Sequence, residues 1–285
     1  MSDAPHAELP PLREVIREHK LSANKRFGQH FLLDLNLTGR IARAAGDLRH
    51  GTTIEVGPGP GGLTRALLDA GAARVIAIEK DPRCIAALAE LVRVADGRLE
   101  LREADAATLD AATLGAPPRR IAANLPYNVG THLLIGWLHA IDAFDSLTLM
   151  FQKEVADRLV APVGGRDYGR LSVLTQYQAD AKRLFEIPAR AFTPPPKVDS
   201  ALVRLTPRPT REPVPSLAAL ETVTAAAFGQ RRKMLRASLR TLDVDAAALL
   251  ERAGIEPTAR AEAIPVAGFA ALARAYATLR EGLSS

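Results

Sequence analysis

The chain has 285 residues, 47% of them apolar and 24% charged, which is enough for one large domain and a small one and is not the composition of a disordered or low-complexity protein. The single cysteine, Cys84, excludes an intramolecular disulfide and a cysteine-ligated zinc site and suits a reducing compartment. Residues 1–20 are polar and proline-bearing, and no run of about 18 apolar residues occurs, so the expectation is a cytoplasmic protein without a membrane span. A net charge of +5 points to a polyanionic partner only where the cations cluster.

In chain order, residues 1–10 lack the pattern of an ordered element, and Pro11 to Lys20 predicts a short helix begun by proline. The segment Leu21–Leu33 mixes basic, polar and aromatic residues. Strands are expected at Thr53–Val56, Arg74–Ile78, Arg98–Arg102, Ile121–Ala123, Leu147–Phe151 and Ala201–Leu205. Helices are expected between the early strands, at Leu63–Ala70 and 82–93. This alternation predicts an α/β fold, a Rossmann-like parallel sheet with helices on both faces. Four prolines between Thr206 and Pro215 mark a stiff linker. Only helices follow: 217–228, 231–242, 246–253 and 266–279. The expected organisation is an N-terminal extension over 1–21, an α/β domain over 22–207 and a small all-α C-terminal domain over 208–285.

The turn Glu55-Val56-Gly57-Pro58-Gly59-Pro60-Gly61-Gly62 joins the first expected strand to a helix. Glycines there let the backbone turn tightly and approach a ligand. Gly57, Gly59 and Gly62 satisfy a dinucleotide fingerprint, with Glu79 one strand later placed for ribose hydroxyls, so a nicotinamide-dependent oxidoreductase competes on this motif. Pro58 and Pro60 tilt the balance, because each withholds an N–H that a pyrophosphate would use. S-adenosylmethionine has no phosphate and needs only close approach and a ribose carboxylate. Asp105, after the third strand, is placed to accept from an adenine amino group or, more blandly, to cap a helix at Ala106.

Asn124-Leu125-Pro126-Tyr127-Asn128 ends the fourth expected strand and is similar to the Asn/Asp-Pro-Pro-Tyr motif of amino-directed methyltransferases. The exocyclic nitrogen of adenine is a poor nucleophile because its lone pair is delocalised into the ring. An Asn side-chain oxygen and the carbonyl of Leu125 can both accept from that amino group and localise the pair. Pro126 fixes the turn, and the face of Tyr127 can stack on the base. Such a site works by placement and stabilised charge and needs no strong general base. Phe192, on a loop stiffened by Pro194, Pro195 and Pro196, is the candidate second wall for an extruded base, with Lys197 for a phosphate. Core packing is its alternative.

Arg231, Arg232, Lys233, Arg236 and Arg240 fall within ten residues that hold no acid. On one continuous helix Arg232, Arg236 and Arg240 form a stripe beside an apolar face, which suits RNA phosphates, while a solvated charged face is the plain alternative. Arg166 and Arg170 could extend it. His19, His50, His132 and His139 lack metal-like spacing, so no metal is assigned. Trp137 lies on an apolar helix face and Cys84 at a helix start, both expected to be structural.

Taken in order, these motifs, with Phe27-Gly28-Gln29-His30-Phe31-Leu32, Gln152-Lys153-Glu154-Val155, Tyr168-Gly169-Arg170-Leu171-Ser172 and Pro194 to Ser200, resemble the ribosomal RNA adenine dimethylase family of the KsgA/RsmA type over nearly the whole chain. The resemblance implies an S-adenosylmethionine-dependent methyltransferase with donor contacts at His30, Leu32, Gly57, Glu79, Asp105 and Asn124. It implies N6,N6-dimethylation of two adjacent adenosines in a hairpin loop near the 3′ end of small-subunit ribosomal RNA, within an immature 30S particle; nothing in the sequence demands a dimer, and a monomer is expected. Large-subunit RNA methylation of the antibiotic-resistance type, or a ribosome-assembly role in which docking outweighs chemistry, stays open beside it.

Overall fold

The computed structural model describes residues 9–21 and 29–283. Phe27 and Gly28 of the first motif lie outside them. The elements, in order, are α1 (Leu12–Glu18), β1 (Phe31–Leu32), α2 (Leu35–Ala44), β2 (Thr52–Val56), α3 (Gly62–Asp69), β3 (Val75–Glu79), α4 (Pro82–Val94), β4 (Leu99–Glu103), β5 (Arg119–Asn124), α5 (Gly130–His139) and β6 (Ser146–Gln152). They continue with α6 (Lys153–Val160), α7 (Arg170–Gln178), β7 (Ala179–Ile187), β8 (Phe192–Thr193), β9 (Ser200–Pro207), α8 (Leu217–Gly229), α9 (Leu235–Ser238), α10 (Ala246–Ala253) and α11 (Val266–Leu283).

Seven strands form one sheet in the order β4-β3-β2-β5-β6-β9-β7. The pairs from β4 to β6 are parallel and β9 runs antiparallel to β6. Every residue of β2 and β3 is buried. Because alternate side chains point to opposite faces, this means the centre of the sheet is covered on both sides. Strand order reverses between β2 and β5, the switch point at whose carboxyl edge ligands of such sheets bind. Local chemistry fixes the helix starts there: Asp34 caps α2, and Asp81 caps α4 with Pro82 at its first position. Trp137 and Cys84 are core residues, as expected. Burial pushes the Cys84 thiol up to about 12, which leaves it inert.

The chain divides into two compact units, one running to Ala156 and including Lys182–Pro207, the other comprising Asp157–Ala181 and the residues from Arg208 onward. The sequence reading left 157–181 with the sheet. Its apolar residues explain the difference, since Ala161, Tyr168, Val173 and Tyr177 belong to the core formed by Leu220, Leu235, Leu249, Phe269 and Tyr276. The Tyr168 hydroxyl donates to the Ile264 carbonyl at 3.0 Å, and the Tyr168 ring meets Phe228 edge-on at 6.0 Å. Likewise α1 belongs with the sheet unit, where Val15 and Leu21 pack with Phe31 and Cys84.

The expected helix over 231–242 is broken. After α8 the chain turns at 230–233, Met234 is extended and bridges Arg260, and α9 holds only four residues before a 3-10 turn at Leu239–Thr241. The first N–H groups that a longer helix would satisfy internally are taken instead by the 257–259 segment: Leu235 N–H donates to Ala259 O at 2.8 Å and Arg236 N–H to Pro257 O at 3.1 Å. The strand β7 has no counterpart in the sequence reading. Asp180, Lys182, Arg183 and Glu186 interrupt its pattern, and that polarity is tolerated because β7 is an edge strand.

Candidate active site

Three strand ends line one side of a cavity. The turn after β2 holds Gly57, Gly59 and Gly61 at φ of 70°, 55° and 92°, a region that favours glycine. A Cβ on Gly59 would come 3.2 Å from the Phe31 ring, and one on Gly62 2.5 Å from the Leu32 carbonyl, so β1 closes directly over the turn. Its N–H groups are committed: Gly57 donates to Ile78 O at 3.0 Å, Gly59 to Glu79 Oε2 at 3.1 Å and Gly61 to Pro58 O at 3.0 Å. Pro58 and Pro60 have none to give, so the turn ahead of α3 offers no free N–H to a phosphate.

Glu79, at the end of β3, is 6% exposed and also accepts from the N–H groups of Lys80 (2.8 Å) and Asp81 (2.9 Å). Burial pushes its carboxyl up, and the three N–H donors work against that rise. Asp105 follows β4, exposed, in a turn and not at a helix start; it accepts from Ala107 N–H at 3.0 Å and lies 3.4 Å from Lys80 Nζ. The Ala107 N–H holds its carboxyl below the usual range, and Lys80 adds to the effect.

The other side of the cavity lies at the end of β5. Asn124 Nδ2 donates to the His30 carbonyl at 2.9 Å. With its nitrogen committed, the amide presents Oδ1 as the acceptor. Leu125, 2% exposed, anchors the turn in the core, and the Pro126 carbonyl accepts from Val129 and Gly130 N–H as α5 begins. The Tyr127 hydroxyl shares a 2.6 Å hydrogen bond with Ser200 Oγ at the start of β9, and the Tyr127 ring lies 5.4 Å from that of His30, tilted by 30°. One cavity is lined by His30, Leu32, Gly57, Glu79, Asp105 and Asn124, together with Leu125, Pro126 and Tyr127.

Phe192 departs from the expected role. It is 2% exposed, lies in the main core of the sheet unit, and does not line the cavity. Pairing of β8 with β1 sets Phe192 opposite Leu32, and its ring meets His30 edge-on at 6.4 Å; here it backs His30 and offers no free face to a base. Lys197 is exposed on the loop that follows. In the helical unit Arg232, Lys233, Arg236 and Arg240 are exposed, but the break at Met234 separates Arg232 and Lys233 from Arg236 and Arg240, so no single stripe forms. Arg231 binds Glu262 at 3.2 Å and donates to the carbonyls of Gly165 and Arg166, so its guanidinium holds a loop in place.

From the sequence, Glu55 has no role of its own, Pro194 only stiffens its loop, and Ser200 only ends a motif. Glu55 sits in β2, is 1% exposed, lines the cavity and, among the described residues, has no hydrogen-bond partner at Oε2. Burial pushes its carboxyl up to about 8, and the charge of Glu79 adds to the rise. An acid inside an otherwise apolar strand was a legible signal. The hydrogen bonds of Ser200 and of the Pro194 carbonyl, which lies 2.8 Å from His30 Nδ1, were not legible because their partners are distant in sequence.

The residues fit an adenosyl methyl donor: a glycine turn whose own N–H groups are already bonded, a carboxylate at each of two strand ends, and a buried acid in the cavity wall. Fold and cavity define a Rossmann-like methyltransferase. A dimethyladenosine transferase from Plasmodium falciparum is similar at a TM-score of 0.73 and 25% identity, over 85% of this chain and 96% of that one. The 23S rRNA methyltransferase ErmE is similar at a TM-score of 0.65 and 27% identity, over 87% and 99%.

The chain belongs to the ribosomal RNA adenine dimethylase family, whose model matches residues 20–278. A ribosomal RNA small subunit methyltransferase A from Rhodospirillum rubrum is 62% identical over 96% of this chain and 95% of the relative. Another from Paramagnetospirillum magneticum is 64% identical over 94% and 95%. Membership implies S-adenosylmethionine as the methyl donor. Among the described residues, no helix is long and apolar enough to cross a membrane.

Proposed function

We propose that this enzyme dimethylates N6 of two adjacent adenosines in a hairpin loop near the 3′ end of small-subunit ribosomal RNA, acting in the cytoplasm as a monomer on an immature small-subunit particle. The names of relatives about 60% identical support the choice of subunit. The observation that carries the chemistry is the commitment of Asn124 Nδ2 to the His30 carbonyl, which reserves Oδ1 for a donor group such as an adenine amine.

When bound, the donor supplies an electrophilic methyl group on a sulfonium. Glu79 and Asp105 would bind its adenosyl part, with Gly57, Leu32 and His30 completing the wall. Oδ1 of Asn124 and the Leu125 carbonyl accept from the two N–H bonds of the target amine and draw its lone pair out of the ring. The Tyr127 ring takes a face of the base, and its hydroxyl is tethered to Ser200. The amine loses one proton for each methyl gained, after its nitrogen has bonded, so placement dominates and no strong base is needed. The sheet unit would carry this chemistry. Arg232, Lys233, Arg236 and Arg240 of the helical unit, with Lys197, would meet RNA phosphates.

Incubation with labelled donor and undermethylated small subunits, followed by mass spectrometry of nucleosides, tests the reading. Label on N6 of adjacent adenosines is expected. A parallel incubation with large-subunit RNA separates the alternative: transfer there and none to small subunits would favour the antibiotic-resistance type of activity, and label on a cytosine carbon or no transfer to either would overturn the proposal.

A further inference from the structure

His30 joins Asn124 and Tyr127 to the segment that holds Phe192 and Pro194. Its carbonyl takes the Asn124 amide nitrogen at 2.9 Å. Its ring lies 5.4 Å from Tyr127 at a 30° tilt and 6.4 Å from Phe192 at 78°. Its Nδ1 lies 2.8 Å from the Pro194 carbonyl. A carbonyl only accepts, so this hydrogen bond assigns the proton to Nδ1. The side chain is thus fixed on one side by the Pro194 loop and on the other by an aromatic face, while the backbone of the same residue sets which end of Asn124 faces the cavity.

A donor-contact role needs only one of these features, the exposure of His30 to the cavity. The rest serve the acceptor side. If the ring lost its hold on Pro194, the carbonyl ahead of β1 would be free to shift. Asn124 would then lose the partner that keeps Oδ1 turned toward a target amine. Tyr127 would lose the ring beside it, leaving Ser200 as its tether. The Phe192–Pro196 segment would keep the two-residue pairing of β8 with β1 and lose the hydrogen bond from the His30 ring.

We propose that His30 is a positioning residue for methyl transfer: through Pro194, Tyr127 and Asn124 it aligns the amine-binding oxygen and the stacking ring, and so governs the rate of transfer more than the affinity for donor. The proposal rests on reading Asn124 to Tyr127 as the base clamp. His30→Phe keeps a ring beside Tyr127 and lacks the donor to Pro194; His30→Asn keeps a donor and lacks the ring; His30→Ala lacks both.

The test measures, for the full chain on undermethylated small subunits, the single-turnover rate at saturating S-adenosylmethionine and, separately, donor Kd by calorimetry. His30→Ala is expected to lower the rate about 10- to 100-fold, the scale of a small misplacement of reacting groups, while donor Kd changes only a few-fold. His30→Phe and His30→Asn should each recover part of the rate, a graded rescue that general loss of structure does not produce. A raised donor Kd with an unchanged saturating rate would make His30 a donor contact only and overturn the proposal. Should His30→Ala fail to fold, wild-type rates in both partial variants would overturn it equally. Asn124→Ala serves as the control: an undiminished rate there removes the clamp reading itself, whereas loss of rate there with wild-type rates in all His30 variants removes only the role of His30.

Discussion

The donor cavity and the basic stretch of the helical unit were both marked by short clusters of functional residue types, yet only the first forms as its sequence pattern implies. At the cavity each residue is tied to the end of a strand. Gly57, Glu79, Asp105 and Asn124 follow or end β2, β3, β4 and β5, and parallel pairing brings those ends to one edge. In the basic stretch the pattern relied on one unbroken helix, and hydrogen bonds from a segment more than twenty residues away break it. Position along a strand pair survives folding because the ladder fixes it. Periodicity within a lone helix can be overruled by a competing backbone partner.

If that contrast is right, the largest effect belongs to Asn124. Asn124→Ala should lower the rate of transfer by about 100- to 1,000-fold, the cost of removing one aimed polar group from a preorganised site, with donor Kd changing far less. Rapid-quench kinetics beside calorimetry would show the split. A near-wild-type rate would reduce the strand-end argument to donor binding alone.

Glu55 gives the next effect and tests the same edge through pH. Its carboxyl titrates near 8 in the fold against an ordinary value of 4.5. Between those values the folded protein keeps a proton that the unfolded chain has released. The stabilisation is therefore complete below 4.5 and is lost as pH rises through 8. Glu55→Gln cannot ionise, so its Tm should exceed that of the wild type at pH 9 and match it near pH 4. The gain is bounded by about 1.4 kcal/mol for each unit of the shift. Parallel melting curves across the range would show no separation if Glu55 is ionised in the fold.

In the helical unit the exposed cations should act weakly and one by one. Arg232→Glu and Arg236→Glu are each expected to weaken binding to small subunits by roughly tenfold at low salt and to lower the salt slope by about one per lost phosphate contact. Donor affinity should not change. Filter binding over a salt series decides this, and unchanged slopes would take both residues out of the RNA surface.

Much of the sheet was legible from residues alone because buried strands announce themselves as short apolar runs and the ligand-bearing turns sit between them. The expected strand at Thr53–Val56 differs from β2 by one residue, and that at Ala201–Leu205 lies inside β9. What escaped depended on partners far away in the chain. The polar strand β7 is a strand because the sheet offers it an edge, and 157–181 joins the helical unit because Tyr168 finds Ile264 and Phe228. Phe192 carried the right residue type for a base-stacking wall; pairing of β8 with β1 turned it into the core. Tyr168 to Ser172 was read as a family signature, and in the fold it is a structural knot: the Ser172 hydroxyl donates to Arg158 O at 2.6 Å and accepts from Gly169 N–H at 3.0 Å.

Arg231 offers the finest discrimination between charge that serves binding and charge that serves the fold. By composition it equals Arg232 beside it. By geometry its guanidinium joins Glu262 to the carbonyls of Gly165 and Arg166, and the Gly164 N–H donates to the Glu262 carbonyl at 2.8 Å, closing the same loop. Its side chain is 40% exposed, so the ion pair with Glu262 is screened and the two carbonyl bonds carry much of its value. Arg231→Ala should cost about 1 kcal/mol, on the scale of hydrogen bonds to a charged donor discounted for solvent. That corresponds to a Tm lower by a few degrees, with the salt slope of particle binding unchanged. Arg232→Ala should do the reverse, leaving Tm in place and flattening the slope. Should Arg231→Ala flatten the slope at constant Tm, the two neighbours would be equivalent phosphate ligands, and composition alone would have described this segment better than its geometry.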